Sequence, residues 1–269
     1  MRFFSCSLPP PPGNTIFAAL AIGGLATADT SQLAPAPEAP AAAAPVDLAP
    51  SALPGTPSAR WLRVGPEERP VLVYAPALAN GERKPVIAML HGMCDTPENE
   101  CSAFQSAATS AGFLVCPRAN GSCNNGGAIW RGSPEVKRAL IDASFEAIST
   151  EFGLAAETDR DATLIGFSQG AYLALDVVNR GAGPWSNLIL IGASVEPDAR
   201  ALRRAGIRRV LLAAGDFDGA RPTMQRTARR LARAGFEAKF SSLGPVGHQF
   251  AFDMDAWMKD ALAWVRQQQ

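Results

Sequence analysis

Histidine is scarce in this chain, and only His91 and His248 occur among the 269 residues. Any chemistry that needs an imidazole therefore has two candidate groups. An excess of charge is missing as well, because 25 lysines and arginines balance 25 aspartates and glutamates. Without a basic or acidic surplus, neither nucleic acid nor an anionic membrane is indicated as a partner. The expected ligands are small or neutral molecules.

Long hydrophobic runs are also missing. The apolar run from Thr15 to Ala28 (TIFAALAIGGLATA) is too short to span a bilayer comfortably, so no stable membrane insertion is predicted. It ends in Ala26-Thr27-Ala28, which has the small-x-small form of a signal-peptidase site. We therefore predict a signal peptide at 1–28 and a secreted or periplasmic protein. The alternative is an apolar, disordered N-terminal tail, because Arg2 is the only basic residue ahead of the run and a proline run, Pro9 to Pro12, precedes it.

Large apolar residues are nearly absent between 29 and 58, where alanine and proline dominate. Such a segment cannot bury enough surface to offset the entropy lost on ordering. We predict an extended, disordered spacer at 29–58. A single folded domain is predicted at 59–269, because neither a linker nor an internal repeat interrupts the remaining sequence.

Cysteine patterns typical of metal sites are absent. The five cysteines show no C-x-x-C spacing and no nearby histidine cluster, so no metal or other cofactor is expected. If Cys6 leaves with the signal peptide, four remain, and an even number in an exported chain predicts two disulfides. Of the three possible pairings we favour Cys94 with Cys101 and Cys116 with Cys123, since each bond would staple one irregular loop. The alternative is four buried free thiols.

Apolar segments that alternate with helical patterns make up the rest of the chain. Runs of consecutive apolar residues, such as 86–90, are typical of strands buried on both faces. One helix is predicted from the N-cap Ser133 to Gly153, and another from near Pro222 to Gly235. Strands are predicted at 61–64, 71–74, 86–90, 113–116, 162–165, 188–191, 210–214 and 236–241. This order predicts an α/β fold, with a mostly parallel sheet covered by helices on both faces.

The pentapeptide Gly166-Phe167-Ser168-Gln169-Gly170 lies between a predicted strand and a helix-prone run. A serine held in a strained turn between strand and helix needs glycines two residues to either side. The two elements can then approach closely, and the hydroxyl is lifted clear of the sheet. The pattern by itself is weak, and its alternative is a solvated serine in a glycine-rich loop.

A serine nucleophile needs a base, usually a histidine that a carboxylate orients. We assign the base to His248, in a glycine-rich loop after the last predicted strand, over the alternative of a solvated loop histidine. For the carboxylate we favour Asp218 over Asp216, with a helix N-cap ahead of Pro222 as the other interpretation. These residues follow strands closely, and ligands gather at the carboxyl ends of strands in such sheets.

With the order Ser168, Asp218, His248, the chain from 61 to 267 resembles the α/β-hydrolase superfamily. Its G-F-S-Q-G and G-D-F-D motifs resemble the small carboxylesterase and dienelactone-hydrolase-like branch. Cys116-Pro117-Arg118 and Trp130 are more loosely similar to secreted polyhydroxyalkanoate-depolymerase-like and feruloyl-esterase-like proteins.

The resemblance implies an oxyanion hole formed by the backbone N–H groups of Met93 and Gln169. His91 is expected to brace the loop that carries Met93. Trp130 is a candidate substrate-binding residue, with ordinary packing as the alternative. Little or no cap domain is expected, because the segment between Gly192 and Arg208 is short. An open site suits a small ester or the end of an ester polymer.

These residues together predict a secreted serine esterase that forms an acyl-enzyme on Ser168 and releases it with water activated by His248. Two alternatives remain open. A peptidase or other amide hydrolase could use the same residues, because a triad alone does not distinguish esters from amides. A binding protein could also keep the fold without catalysis.

Overall fold

The structure is a computed structural model that describes residues 58–267, except 66, 81, 154–155, 158–160 and 182. The signal peptide predicted at 1–28, with Cys6, lies outside these residues. So does the spacer predicted at 29–58, apart from its last residue, Ser58, where the first strand begins.

Within these residues the chain forms eleven strands and seven helices. The strands are β1 (Ser58–Val64), β2 (Arg69–Ala75), β3 (Lys84–Leu90), β4 (Phe113–Pro117), β5 (Gly121–Ser122), β6 (Ala128–Ile129), β7 (Ala156–Glu157), β8 (Ala162–Phe167), β9 (Trp185–Ile191), β10 (Arg209–Ala214) and β11 (Glu237–Ser242). The helices are α1 (Pro97–Ser102), α2 (Gln105–Ala111), α3 (Pro134–Phe152), α4 (Gln169–Asn179), α5 (Ala199–Arg204), α6 (Arg221–Arg233) and α7 (Met254–Val265).

The main sheet has the strand order β1-β2-β4-β3-β8-β9-β10-β11, and the short strand β7 pairs with β3 beside this path. β1 pairs antiparallel with β2, and β2 with β4. Every pair from β4 through β11 is parallel. The predicted mostly parallel sheet is therefore confirmed, with two antiparallel strands added at one edge.

Helices cover both faces of this sheet. Successive residues of β3 point to opposite sides, so that Val86 and Ala88 belong to one core cluster and Ile87 and Met89 to the other. The first cluster packs against α3, α4, α5 and α6, and the second against α1, α2 and α7. Consecutive apolar residues in the central strands follow from this burial on both faces.

The two predicted long helices are confirmed. Ser133 caps α3, because its hydroxyl accepts a hydrogen bond from Val136 N, and Pro134 occupies the first turn. α6 contains Pro222 in its first turn and ends one residue before Ala234. Its buried positions include Met224, Ala228 and Leu231.

Two disulfides are present, as predicted, but the predicted pairing is wrong. Cys94 is bonded to Cys123, and Cys101 to Cys116. The β5–β6 hairpin folds back beside residue 94, where Cys94 N donates to Ala128 O at 2.8 Å, so that Cys123 lies next to it. Helix α1 packs on β4, which brings Cys101 to Cys116. Each bond thus joins elements that are neighbours in space and not in sequence.

Two further findings concern residues 58–267 with the gaps given above. None of the helices there is long and apolar enough to cross a membrane. Nor do histidine, cysteine, aspartate and glutamate side chains in this part of the chain form a group of three that could hold a metal ion.

Candidate active site

Ser168 lies in a sharp turn between β8 and α4, as the pentapeptide predicts. Its backbone has φ 50° and ψ −115°, which places a non-glycine residue in the left-handed region. A Cβ on Gly166 would lie 2.3 Å from Gly170 O, and one on Gly170 would lie 1.8 Å from Leu90 O. Only glycine therefore fits at these two positions. The strained turn holds the serine at the carboxyl end of the central strand β8.

His248 reaches Ser168 from the loop that follows β11. Its Nε2 lies 3.0 Å from Ser168 Oγ. The imidazole ring stacks on Phe167, with ring centroids 5.1 Å apart and an interplanar angle of 30°. This apolar support fixes the ring plane from one side. The side chain of His248 is 50% exposed, so the contact with the serine opens directly to solvent.

Asp218 completes a chain of contacts from the loop after β10. Its Oδ2 lies 2.9 Å from His248 Nδ1, and its Oδ1 accepts a hydrogen bond from Ala220 N at 2.8 Å. The carboxylate is thus fixed from two sides, and its side chain is only 5% exposed. The alternative of a helix N-cap does not apply, because the N-cap of α6 is Ala220 and no side chain caps that helix.

Asp216, the alternative carboxylate, faces away from His248. It bonds to the Arg221 guanidinium and to the Ser242 hydroxyl. The Ser242 hydrogen bond, with Arg221 beside it, holds the pKa of Asp216 below its usual range. Backbone bonds from Asp216 N to Gly244 O and from Phe217 N to Val246 O, at 2.8 and 3.0 Å, tie the aspartate loop to the histidine loop.

The two backbone N–H groups predicted for the oxyanion hole belong to Met93 and Gln169. Met93 lies in the loop after β3, and Gln169 is the first residue of α4. Neither N–H has a hydrogen-bond acceptor among the described residues. Gln169 is also held by its side chain, because Oε1 accepts from Trp130 N at 3.1 Å and Nε2 donates to Trp130 O at 3.2 Å.

His91 braces the Met93 loop from below. Its Nε2 accepts a hydrogen bond from Ala119 N at 3.1 Å, so the proton resides on Nδ1 and is donated to Gly92 O at 2.7 Å. Burial lowers the pKa of His91, which favours this neutral form. Both ring nitrogens of His91 are therefore occupied by backbone groups.

Trp130, the predicted substrate-binding residue, is buried beneath the same loop. Its indole Nε1 donates to His91 O at 2.9 Å, and its ring packs against the His91 ring with centroids 5.2 Å apart. The residue is 3% exposed. The structure therefore places Trp130 among the supports of the loop, which is the packing alternative.

Glu100 is a residue of this region that the sequence did not single out. It lies on α1, is 2% exposed, and accepts a hydrogen bond from Gly92 N through Oε1 at 2.8 Å. Its only sequence signal is an acidic residue in the short polar segment Pro97–Ser102, which is typical of an exposed turn of helix.

Four exposed large apolar side chains lie close in sequence to the site residues. Met93 lies in the loop after β3, and Tyr172 follows Ser168 by four residues. Phe217 precedes Asp218, and Phe252 follows His248 by four residues. Their exposed fractions run from 49% for Tyr172 to 85% for Phe252. The chain between β9 and β10 contains only the six-residue α5, so it supplies no separate cap over them.

No family model and no curated protein matches the chain. Solved structures do match it. Esterase PE8 is 23% identical with a TM-score of 0.55, over 73% of this chain and 98% of its own. Fluorophosphonate-binding serine hydrolase F of Staphylococcus aureus, with substrate bound, is 15% identical with a TM-score of 0.60, over 80% and 100%. A ferulic acid esterase is 16% identical with a TM-score of 0.59, over 78% and 97%. These likenesses confirm the predicted fold, which is that of the α/β-hydrolases.

Proposed function

We propose that the chain is an exported serine hydrolase that cleaves carboxylic esters, with Ser168 as nucleophile, His248 as base and Asp218 as the carboxylate that orients it. The observation that carries the proposal is the pair of contacts at His248. Nε2 lies 3.0 Å from Ser168 Oγ, and Nδ1 lies 2.9 Å from Asp218 Oδ2. A hydroxyl, an imidazole and a buried carboxylate in this order are the parts of an activated serine.

The proton path follows from the two contacts. Asp218 accepts from Nδ1–H, so Nε2 carries the lone pair and takes the proton of Ser168 as its oxygen attacks the ester carbonyl. The protonated imidazole then gives that proton to the leaving alcohol, and an acyl-enzyme remains. A water molecule, deprotonated by the same Nε2, releases the acid and restores the serine.

The unpaired N–H groups of Met93 and Gln169 are proposed as the oxyanion hole. The negative charge that forms on the carbonyl oxygen needs donors already aimed at it, and each such donor contributes about 3 kcal/mol of transition-state stabilisation. Met93 is held through its neighbour Gly92, which bonds to the His91 and Glu100 side chains. Gln169 is held through its own side chain, which bonds to the Trp130 backbone.

An apolar ester is the substrate that the surroundings favour. Exposed apolar side chains are proposed to receive the acyl or alcohol portion of the ester, because contact with an apolar group removes their surface from water. They are the four that lie close in sequence to the site residues: Met93, Tyr172, Phe217 and Phe252. The half-exposed His248 and the short β9–β10 connection support an open site that accepts a small ester or the end of an ester polymer.

Export is proposed from the signal-like segment at 1–28 together with the two disulfides. Disulfides persist in oxidising compartments such as the periplasm or the medium.

Labelling with a fluorophosphonate probe tests the nucleophile. Intact-mass analysis of the purified protein should show a single adduct, and peptide mapping should place it on Ser168. The adduct should disappear in Ser168→Ala and in His248→Ala, while Ser102→Ala, a serine at the end of α1, should label as the unmodified protein does.

A panel of p-nitrophenyl esters and peptide amides then separates the functions. A higher kcat/KM for esters than for amides supports the proposal. A higher kcat/KM for amides would assign the site to a peptidase. If folded protein takes no label and turns over neither class, the chain is a binding protein that keeps the fold.

A further inference from the structure

Glu100 occupies a place that the proposed reaction does not explain. It lies on α1 directly behind the Met93 loop and is buried from solvent. The next residue, Cys101, is bonded to Cys116 of β4, so that the helix is fastened to the sheet at this point. A carboxyl group is costly to bury, and its position therefore calls for a reason beyond packing.

The contacts around Gly92 supply that reason. The peptide plane between His91 and Gly92 is held at both ends, because Gly92 N donates to Glu100 Oε1 at 2.8 Å and His91 O accepts from Trp130 Nε1 at 2.9 Å. The next plane, between Gly92 and Met93, is held through Gly92 O by the His91 ring at 2.7 Å. Its other end is the Met93 N–H.

Two successive planes joined at a glycine are soft unless something fixes them, since glycine permits a wide range of φ and ψ. The direction of the Met93 N–H therefore depends on the side chains that hold both planes. Glu100 is the one that fixes the N–H side of Gly92. It also fills the space there, because a Cβ on Gly92 would lie 3.1 Å from Glu100 Oε1.

We propose that Glu100 is a positioning residue that aims the Met93 N–H at the oxyanion of the ester. This role rests on the proposed ester hydrolysis and deepens it. Glu100 would not touch the substrate, and it would act through Gly92.

The protonation of Glu100 is part of this role. Burial raises its pKa from 4.5 to about 9, the Gly92 N–H opposes the rise, and the negative charge of Asp95 adds to it. Glu100 Oε2 is buried without a partner among the described residues, as suits a neutral acid better than a carboxylate. At neutral pH the loop is therefore held without a negative charge beside the oxyanion.

Ionisation of Glu100 should weaken catalysis. A carboxylate behind the loop would repel the developing oxyanion. It would also favour a change in the loop that lets water reach the buried Glu100 side chain. The other titratable or charged groups near α1 are Asp95, the neutral His91, Tyr74 of β2, and the pair of Arg118 with Glu98 on the outer side. Burial and the charge of Glu98 raise the pKa of Tyr74, so Tyr74 stays neutral while Glu100 titrates.

The test compares kcat and KM of Glu100→Gln, Glu100→Ala and the control Glu98→Gln on p-nitrophenyl acetate from about pH 6 to 10.5. Glu98 lies on the same helix and is exposed. Active-site titration with the fluorophosphonate probe counts the competent molecules, and return to pH 7.5 before assay separates reversible ionisation from unfolding.

For the unmodified protein and Glu98→Gln we expect kcat to fall reversibly above about pH 9. Glu100→Gln keeps an oxygen that accepts from Gly92 N, but its amide does not ionise. It should therefore retain kcat within about threefold at pH 7.5, and its kcat should not fall at alkaline pH. Glu100→Ala should lower kcat by about 10- to 100-fold with little change in KM, because the lost interaction acts only in the transition state.

Two results would overturn the proposal: an alkaline decline in Glu100→Gln identical to that of the unmodified protein, or a Glu100→Ala variant with unchanged kcat. If Glu100→Ala does not fold, the pH profile of Glu100→Gln decides alone. Failure of the underlying reaction looks different, since the unmodified protein would then neither label at Ser168 nor turn over any ester.

Discussion

Asp216 and Asp218 stand two residues apart on one loop, and their carboxylates have different partners. Asp218 Oδ2 lies 2.9 Å from His248 Nδ1, whereas Asp216 bonds to Arg221 and Ser242. Both aspartates follow the same strand and are separated by one exposed phenylalanine. The loop therefore contains its own matched pair, in which one carboxylate contacts the imidazole and the other ties the loop to β11 and α6.

This pair gives a direct test of the proposed triad. Asp218→Asn should lower kcat by about 10⁴-fold, because the amide no longer holds the imidazole with its proton on Nδ1. Asp216→Asn should lower kcat by less than about 10-fold, since only the attachment of the loop is weakened. Steady-state kinetics on one small ester measures both. Equal losses would mean that the loop as a whole, and not one carboxylate, supports the reaction.

The turn at Ser168 makes a prediction about stability. Gly170→Ala would place a Cβ 1.8 Å from Leu90 O, so strand and helix must separate, and the free energy of unfolding should fall by about 3 kcal/mol. Gly219→Ala is the control, because no atom lies within 4 Å of its added Cβ. Urea denaturation followed by circular dichroism measures both. Equal stability of the two variants would contradict the close approach at the turn.

Most of the buried strands could be predicted from the sequence because they contain runs of consecutive apolar residues, which are typical of a sheet covered on both faces. Ser168 and Asp218 could be located because each follows a buried strand, and His248 because histidine is scarce and it lies after the last predicted strand. Their contacts are present, and their catalytic roles remain predictions. The disulfide pairing could not be predicted, since it depends on where the β5–β6 hairpin folds, and that hairpin is set by contacts with residues 94 and 95.

Glu100 escaped prediction, and packing could be named for Trp130 only as an alternative, for a related reason. A carboxyl in a six-residue polar helix and a tryptophan in a glycine-rich loop carry no periodic signal. The two residues become buried only when α1 and the β5–β6 hairpin pack against the Met93 loop. The side chains that hold a loop in place do so through contacts between residues far apart in sequence, which the sequence does not reveal. Residues that directly follow a strand can be located from the apolar pattern of the strand itself.

The observed disulfide pairing predicts two stability losses. A disulfide stabilises more when it closes a longer loop of the unfolded chain. Removal of the Cys101–Cys116 bond should therefore lower the free energy of unfolding by about 3 kcal/mol, and removal of the Cys94–Cys123 bond by about 3.5 kcal/mol. Double alanine variants of each pair, unfolded in urea, measure the losses. Peptide mapping without reductant should find these two linked pairs. A Cys94–Cys101 peptide would contradict the structure.

The exposed apolar side chains predict a preference for apolar substrates. Phe217→Ser with Phe252→Ser should raise KM for p-nitrophenyl octanoate by about 10-fold, since each buried CH₂ contributes about 0.8 kcal/mol. The effect on the acetate ester should be much smaller. Trp61→Ser is the control, because Trp61 is also exposed but lies on the edge strand β1, far along the sheet from Ser168. A loss of equal size for both esters would place these phenylalanines outside the binding surface.

Glu100 should also make stability depend on pH in a way that Glu100→Gln does not. Its pKa is 4.5 when unperturbed and about 9 in the folded protein. Between these values the folded protein holds a proton that the unfolded chain has released, so this group makes folding less favourable as the pH rises, by at most about 1.4 kcal/mol per pH unit. Below about pH 4.5 both states are protonated and the effect vanishes.

The measurable quantity is the difference in free energy of unfolding between Glu100→Gln and the unmodified protein, because all other titrating groups cancel in it. This difference should grow in favour of Glu100→Gln from about pH 5 to about pH 9 and then level off. Any constant cost of the amide shifts the curve without changing its slope. Glu98→Gln, on the outer side of the same helix, controls for the loss of one glutamate. Parallel stability curves for Glu100→Gln and the unmodified protein would show that Glu100 is already ionised in the folded state, and the loop would then be held by a charge.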